Sequence, residues 1–122
     1  MKYFTLLLLF VLSSCYKQKK ICADFKTGKF NFTQEIDGKK ETTILERTDK
    51  FQIETYKGKT DSASVRWVND CEFVLEKLHP KNMKEQKAIS MRILTTTKNS
   101  YTFEYSFVND ENKQLGTVTK IE

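Results

Sequence analysis

Tyr101-Thr102-Phe103-Glu104-Tyr105-Ser106-Phe107 alternates aromatic and polar side chains without a break, and its reading decides the fold. A period of two places all four rings on one face of an extended strand and the polar residues on the other. The segment therefore predicts a strand with one buried face.

The same period runs outward in both directions. Leu115 to Ile121 is a closing strand rich in threonine and branched residues, reached through the polar loop Asn109 to Gln114. Ile89 to Thr95 alternates as well and turns at Lys98-Asn99-Ser100. Further upstream, Val65-Arg66-Trp67-Val68 and Cys71-Glu72-Phe73-Val74-Leu75 flank Asn69-Asp70, a two-residue connection that suits a tight hairpin, so Cys71 is expected to open a strand. Thr42 to Arg47 and Phe51 to Tyr56 form a further pair, followed by the polar punctuation Lys57 to Ser62. Lys29 to Ile36 ends at Asp37-Gly38, a dipeptide that tolerates the positive φ of hairpin turns. Only His79 to Lys87 has helical composition, with Pro80 where a first helical position would fall, and it predicts at most one short helix or loop.

About eight strands with short connections, and none long enough for a parallel crossover, predict an all-β, antiparallel up-and-down meander. Closing such a sheet into a small barrel removes its exposed edges, and eight strands enclose just enough room for side chains or one small ligand. Phe30, Phe51, Trp67, Tyr101, Phe103, Tyr105 and Phe107 are the candidate aromatics of its core or pocket. With only four glycines to leave space beside them, a packed interior is favoured over an apolar cavity.

The N-terminus supplies an address. Lys2 precedes an apolar run from Tyr3 to Leu12 that stops well short of the ~20 residues a spanning helix needs, and Leu12-Ser13-Ser14-Cys15 closes it. The pattern resembles the lipobox of bacterial lipoproteins. That resemblance implies cleavage after Ser14, a diacylglyceryl thioether on Cys15 and acylation of its amine, and two or three chains anchor stably. The expected organisation is a signal peptide over 1–14, a lipidated tether over 15–21 and a single barrel domain over 22–122. Localisation is expected at the outer membrane, facing the periplasm.

Charge follows the same division. Of 21 Lys and Arg, Lys2, Lys17, Lys19 and Lys20 lie in leader and tether, which leaves 17 basic against 16 acidic residues from Ile21 on. The domain lacks the basic field of a nucleic-acid binder, and no nucleic-acid partner is expected.

With Cys15 committed to lipid, Cys22 and Cys71 remain, and an oxidising exported compartment favours their disulfide; two buried free thiols are the alternative. The single histidine, His79, and the absence of any Cys-x-x-Cys spacing give no metal site. No nucleophile elbow, zincin helix or phosphate-cradling loop occurs, so neither catalytic residues nor a cofactor is expected. Asp61-Ser62-Ala63 resembles the O-glycosylation acceptor of exported Bacteroidota proteins and falls in a predicted exposed loop; Ser62 is the candidate acceptor, although an ordinary Asp-Ser turn reads equally well.

Gly28-Lys29-Phe30 resembles the Gly-x-Trp start of lipocalins, and the meander resembles lipocalin-like and calycin barrels. The chain differs from lipocalins in lacking a mid-chain Thr-Asp-Tyr motif and any arginine assignable to the position that caps their barrel. Cys22 to Phe30, Arg47 to Glu54, Trp67 to Phe73 and Thr117 to Ile121 are similar to a family of small uncharacterised Bacteroidota lipoproteins, some of which carry the name DNA topoisomerase IV. The sequence contradicts that name, since an exported domain of short strands has no DNA gate and no winged domain bearing an active-site tyrosine. What the resemblance implies is the fold and the disulfide.

These readings converge on a lipid-anchored, monomeric, non-enzymatic binding module of the envelope, holding a small apolar ligand or docking an envelope protein. An inhibitor or structural partner, similar in architecture to membrane-bound lysozyme inhibitors, is the alternative. That second reading requires a projecting loop such as Lys57 to Ser62 or His79 to Lys87.

Overall fold

A computed structural model describes residues 20–122. The leader, Cys15 and most of the tether lie outside the described residues. A 3₁₀ turn, Cys22–Phe25, precedes eight strands: β1 (Gly28–Ile36), β2 (Lys39–Arg47), β3 (Phe51–Tyr56), β4 (Lys59–Asn69), β5 (Glu72–Lys77), β6 (Ile89–Thr96), β7 (Ser100–Phe107) and β8 (Gln114–Lys120). They pair antiparallel in chain order and close into a barrel.

Turn chemistry sets the register of the first hairpins. Asp37 and Gly38 hold φ of 52° and 77°, and Lys57 and Gly58 hold 49° and 75°, so both two-residue turns have the doubly positive φ whose twist matches paired strands. Closure is short, because β1 meets β8 only over Phe30–Phe32 against Lys120–Val118. Gly28 lies at this seam with φ of 135°, and a Cβ there would stand 2.7 Å from the carbonyl oxygen of Glu122. Only glycine fits, which explains the first residue of the Gly-Lys-Phe motif.

An up-and-down barrel gathers alternate connections at opposite ends. The β2–β3, β4–β5 and β6–β7 turns share one end with the 3₁₀ turn, and that end is plugged. Phe25, Phe30, Phe73, Ile93, Tyr101 and Val118 are buried there. Tyr101 meets Phe25 and Phe30 edge to face, with ring centroids 5.2 and 5.9 Å apart. Cys22 and Cys71 form a disulfide with Cα atoms 5.4 Å apart, stapling the plug to the β4–β5 turn.

At the centre of the plug lies Arg47, only 2% exposed. It donates from Nη1 to the Phe25 carbonyl at 2.8 Å, from Nη2 to the Tyr101 hydroxyl oxygen at 2.8 Å and from Nε to Gln52 Oε1 at 2.9 Å. Its guanidinium carbon lies 4.5 Å from the Phe73 ring centre and 4.8 Å from that of Phe30, so the charge is also held against aromatic faces. The sequence does not single out Arg47, yet its guanidinium lies inside the plug over the phenylalanine of Gly-Lys-Phe.

Several expectations are corrected. Phe51 is not core, being 46% exposed on the outer face of β3. Asp70 and Cys71 form the β4–β5 turn, so Cys71 precedes β5 instead of opening it. The strand register shifts between Trp67 and Asn69, which moves the turn by one residue. The expectation of at most a short helix or loop over His79 to Lys87 holds as a loop, and among the described residues the one short helical element is the 3₁₀ turn at Cys22–Phe25.

Candidate ligand-binding site

The other end of the barrel is open. Inward positions that carry Phe30, Phe32 and Leu45 deeper in the barrel pass to Gln34 and Thr43 toward this end. Polar side chains of this kind keep their water instead of packing. The result is a cavity of about 220 Å³ at the mouth. Phe32, Leu45, Leu75, Ile89, Met91 and Phe103 form its apolar walls, and Tyr105 stands at its edge with its hydroxyl donating to Gln114 Oε1 at 2.7 Å. The packed interior expected from the sequence is therefore real only in the closed half.

Strand β3 gives the cavity its polar side by an inversion of the usual pattern. Arg47 lies opposite Gln52, and Leu45 opposite Glu54, so Gln52 and Glu54 face inward with them. Phe51 and Ile53 then face solvent, 46% and 39% exposed, while Gln52 is 1% exposed. A shift of one residue would reverse this, but the short connection Thr48–Lys50 fixes the pairing. Its anchor is Thr48, whose Oγ1 accepts from the Phe51 N–H at 3.0 Å and whose own N–H donates to the Phe51 carbonyl at 2.8 Å.

Gln52 links the two halves of the interior. Its Oε1 accepts from Arg47, and its Nε2 donates to Glu54 Oε1 at 2.9 Å. A continuous chain therefore runs from the Tyr101 hydroxyl through Arg47 and Gln52 to a carboxylate on the cavity wall.

Beside the cavity, a smaller recess of about 50 Å³ is bounded by Glu54, Asp61, Ala63, Lys77 and Lys87. Lys77 Nζ lies 3.1 Å from Asp61 Oδ2 and 2.8 Å from Glu85 Oε1, and Glu85 Oε2 accepts from the Lys81 N–H at 2.7 Å. This network ties the Leu78–Ala88 connection to the rim. The Glu85 hydrogen bond, joined by Asp61, holds Lys77 above the ordinary lysine range. Lys77 in turn holds Glu85 below the ordinary carboxylate range. Partial burial pushes Asp61 up, but its hydrogen bonds and the nearby lysines outweigh it and leave Asp61 low.

The candidate residues are thus dispersed. Phe30 and Tyr101 belong to the plug, Trp67 stacks on Phe73 at the closed end with centroids 4.6 Å apart, and Phe103 and Tyr105 line the cavity. Phe107 lies farther out, 5.6 Å beneath Lys87 Nζ. Ser62 is not in an exposed loop: it is a half-buried residue of β4, opposite Ile53, with its carbonyl accepting from the Leu78 N–H at 3.0 Å. Arg47, Gln52, Glu54 and the Lys77 network were missed. Arg47 and Gln52 carried a signal, because two polar residues flanking a four-residue turn face each other across a hairpin.

Among the described residues, no group of three His, Cys, Asp or Glu side chains could hold a metal ion, and no helix is long and apolar enough to cross a membrane. No family model matches the chain, and no curated protein or solved structure matches it.

Proposed function

We propose that this chain is a lipid-anchored binding module of the cell envelope whose barrel mouth takes one small, largely apolar ligand. The cavity carries the reading. An apolar hole of about 150 Å³ is enough to hold benzene, and this one measures about 220 Å³. Its walls combine hydrophobic surface with a few placed polar groups, the composition of small-molecule sites. The Leu12-Ser13-Ser14-Cys15 pattern supports anchoring through Cys15, with the barrel on the periplasmic side of the outer membrane.

The inhibitor reading has less support. Lys59–Ser62 belong to β4, and Glu85 ties down the Leu78–Ala88 connection, so neither candidate is a free projecting loop.

Titration of the protein with toluene, followed by methyl NMR shifts, tests the ligand-site reading. Saturable shifts confined to Leu45, Leu75, Ile89 and Met91 are expected. Shifts that are absent, or spread evenly over the surface without saturating, would sink it.

A further inference from the structure

The charge distribution in the cavity points to a narrower class of ligand. Glu54 is the only charged side chain on its wall. Its Oε1 accepts from Gln52, and among the described residues it makes no ion pair and its Oε2 accepts no hydrogen bond. Arg47, the nearest cation in the chain of hydrogen bonds, is separated from it by the whole of Gln52. Of the lysines that border recesses shared with Glu54, Lys77 is engaged with Asp61 and Glu85 and Lys87 lies over the Phe107 ring, while Lys59 and Lys81 line a recess separate from the cavity.

The inversion of β3 makes the placement of Glu54 costly. Pointing Gln52 and Glu54 inward leaves Phe51 and Ile53 in water, against the preference of all four residues. Gln52 is needed by Arg47, so the plug accounts for it. Glu54 makes no ion pair among the described residues: beyond its bond to Gln52 it borders the cavity and two neighbouring recesses. Local rules broken without a structural return mark functional positions.

We propose that the mouth binds a small primary amine with an apolar body, its ammonium hydrogen-bonded to Glu54 and its hydrocarbon part against Phe32, Leu75, Met91 and Phe103. This rests on the reading of the mouth as a ligand site. A charge-assisted hydrogen bond is about twice as strong as a neutral one, and the ligand's own hydrocarbon part would shield it on the cavity side. A carboxylate of the same size would face Glu54 with like charge, and no cation lines this cavity. The site therefore rejects small organic acids.

Three ligands of matched size separate the possibilities: 2-phenylethylamine, propylbenzene and phenylacetate, each titrated into the protein at neutral pH with methyl NMR as readout. The amine is expected to bind at least tenfold more tightly than propylbenzene, and phenylacetate more weakly than either. Glu54→Gln is expected to erase the preference for the amine. If that variant does not fold, the ranking of the three ligands on the unmodified chain decides alone. Equal affinities for amine and hydrocarbon, or a preference for phenylacetate, would overturn the amine proposal and leave the cavity reading standing. No saturable binding of any of the three would overturn both.

Discussion

The two ends of this barrel treat inward-facing polar side chains in opposite ways. At the closed end Arg47 is buried and each of its three side-chain nitrogens donates a hydrogen bond within the plug. At the mouth Glu54 accepts from Gln52 through one oxygen and borders the cavity without an ion pair among the described residues. The first arrangement holds the fold together and the second leaves a group free for something else. Substitutions should therefore cost much at one end and little at the other.

The largest effect is expected from the disulfide. Cys22 and Cys71 are 49 residues apart in sequence, and closing a loop of that size stabilises by on the order of 4 kcal/mol in the chain-entropy model. Replacing both by alanine should lower the unfolding free energy by about that amount in a denaturant titration. A loss under about 1 kcal/mol would show that the plug is already held by its aromatic packing and that the staple is secondary.

Next in size is the Arg47 network. Arg47→Met keeps much of the volume but strands the Phe25 carbonyl and Gln52 Oε1, and each unpaired buried polar group costs about 1–3 kcal/mol. A total near 3 kcal/mol is expected, with Tyr101→Phe costing about 1 kcal/mol. Thr43→Val at the mouth should stay within about 0.5 kcal/mol. If Thr43→Val cost as much as Arg47→Met, the contrast between a structural end and a functional end would collapse.

The same contrast explains which features could be read from the sequence. Strands with a clean period of two, such as Tyr101–Phe107, declared themselves, as did Asp37-Gly38, because both signals are local. Cys22 and Cys71 followed from counting once Cys15 was set aside. Strand β3 misled, since Phe51 and Ile53 look like an inward face and the true face is set by a partner across a turn. Register is a property of two strands, and the pattern within one cannot supply it. The cavity escaped for a related reason. Gln34, Thr43 and Glu54 lie on three neighbouring strands, and they share one wall only once those strands pair in register.

The smallest expected effect on global stability belongs to the Lys77 network, where acid should act locally. Glu85 and Asp61 have folded values below their ordinary 4.5 and 3.8. Groups lowered in this way favour the tied loop above the ordinary carboxylate range, and that contribution is lost as pH falls through the lowered values. Lys77, raised above 10.5, contributes below that pH and is lost only in strong alkali. The Leu78–Ala88 connection should accordingly be held from mildly acidic to moderately alkaline pH and released only in acid below the ordinary carboxylate range. Amide protection factors, corrected for intrinsic exchange, should fall there first in this connection. Those of Ile93 and Tyr101 in the plug should persist. Lys77→Met should produce the same local loss at neutral pH. Protection that falls together at both ends on acidification would mean the rim and the plug unfold as one unit, and the barrel would then have no separable mouth.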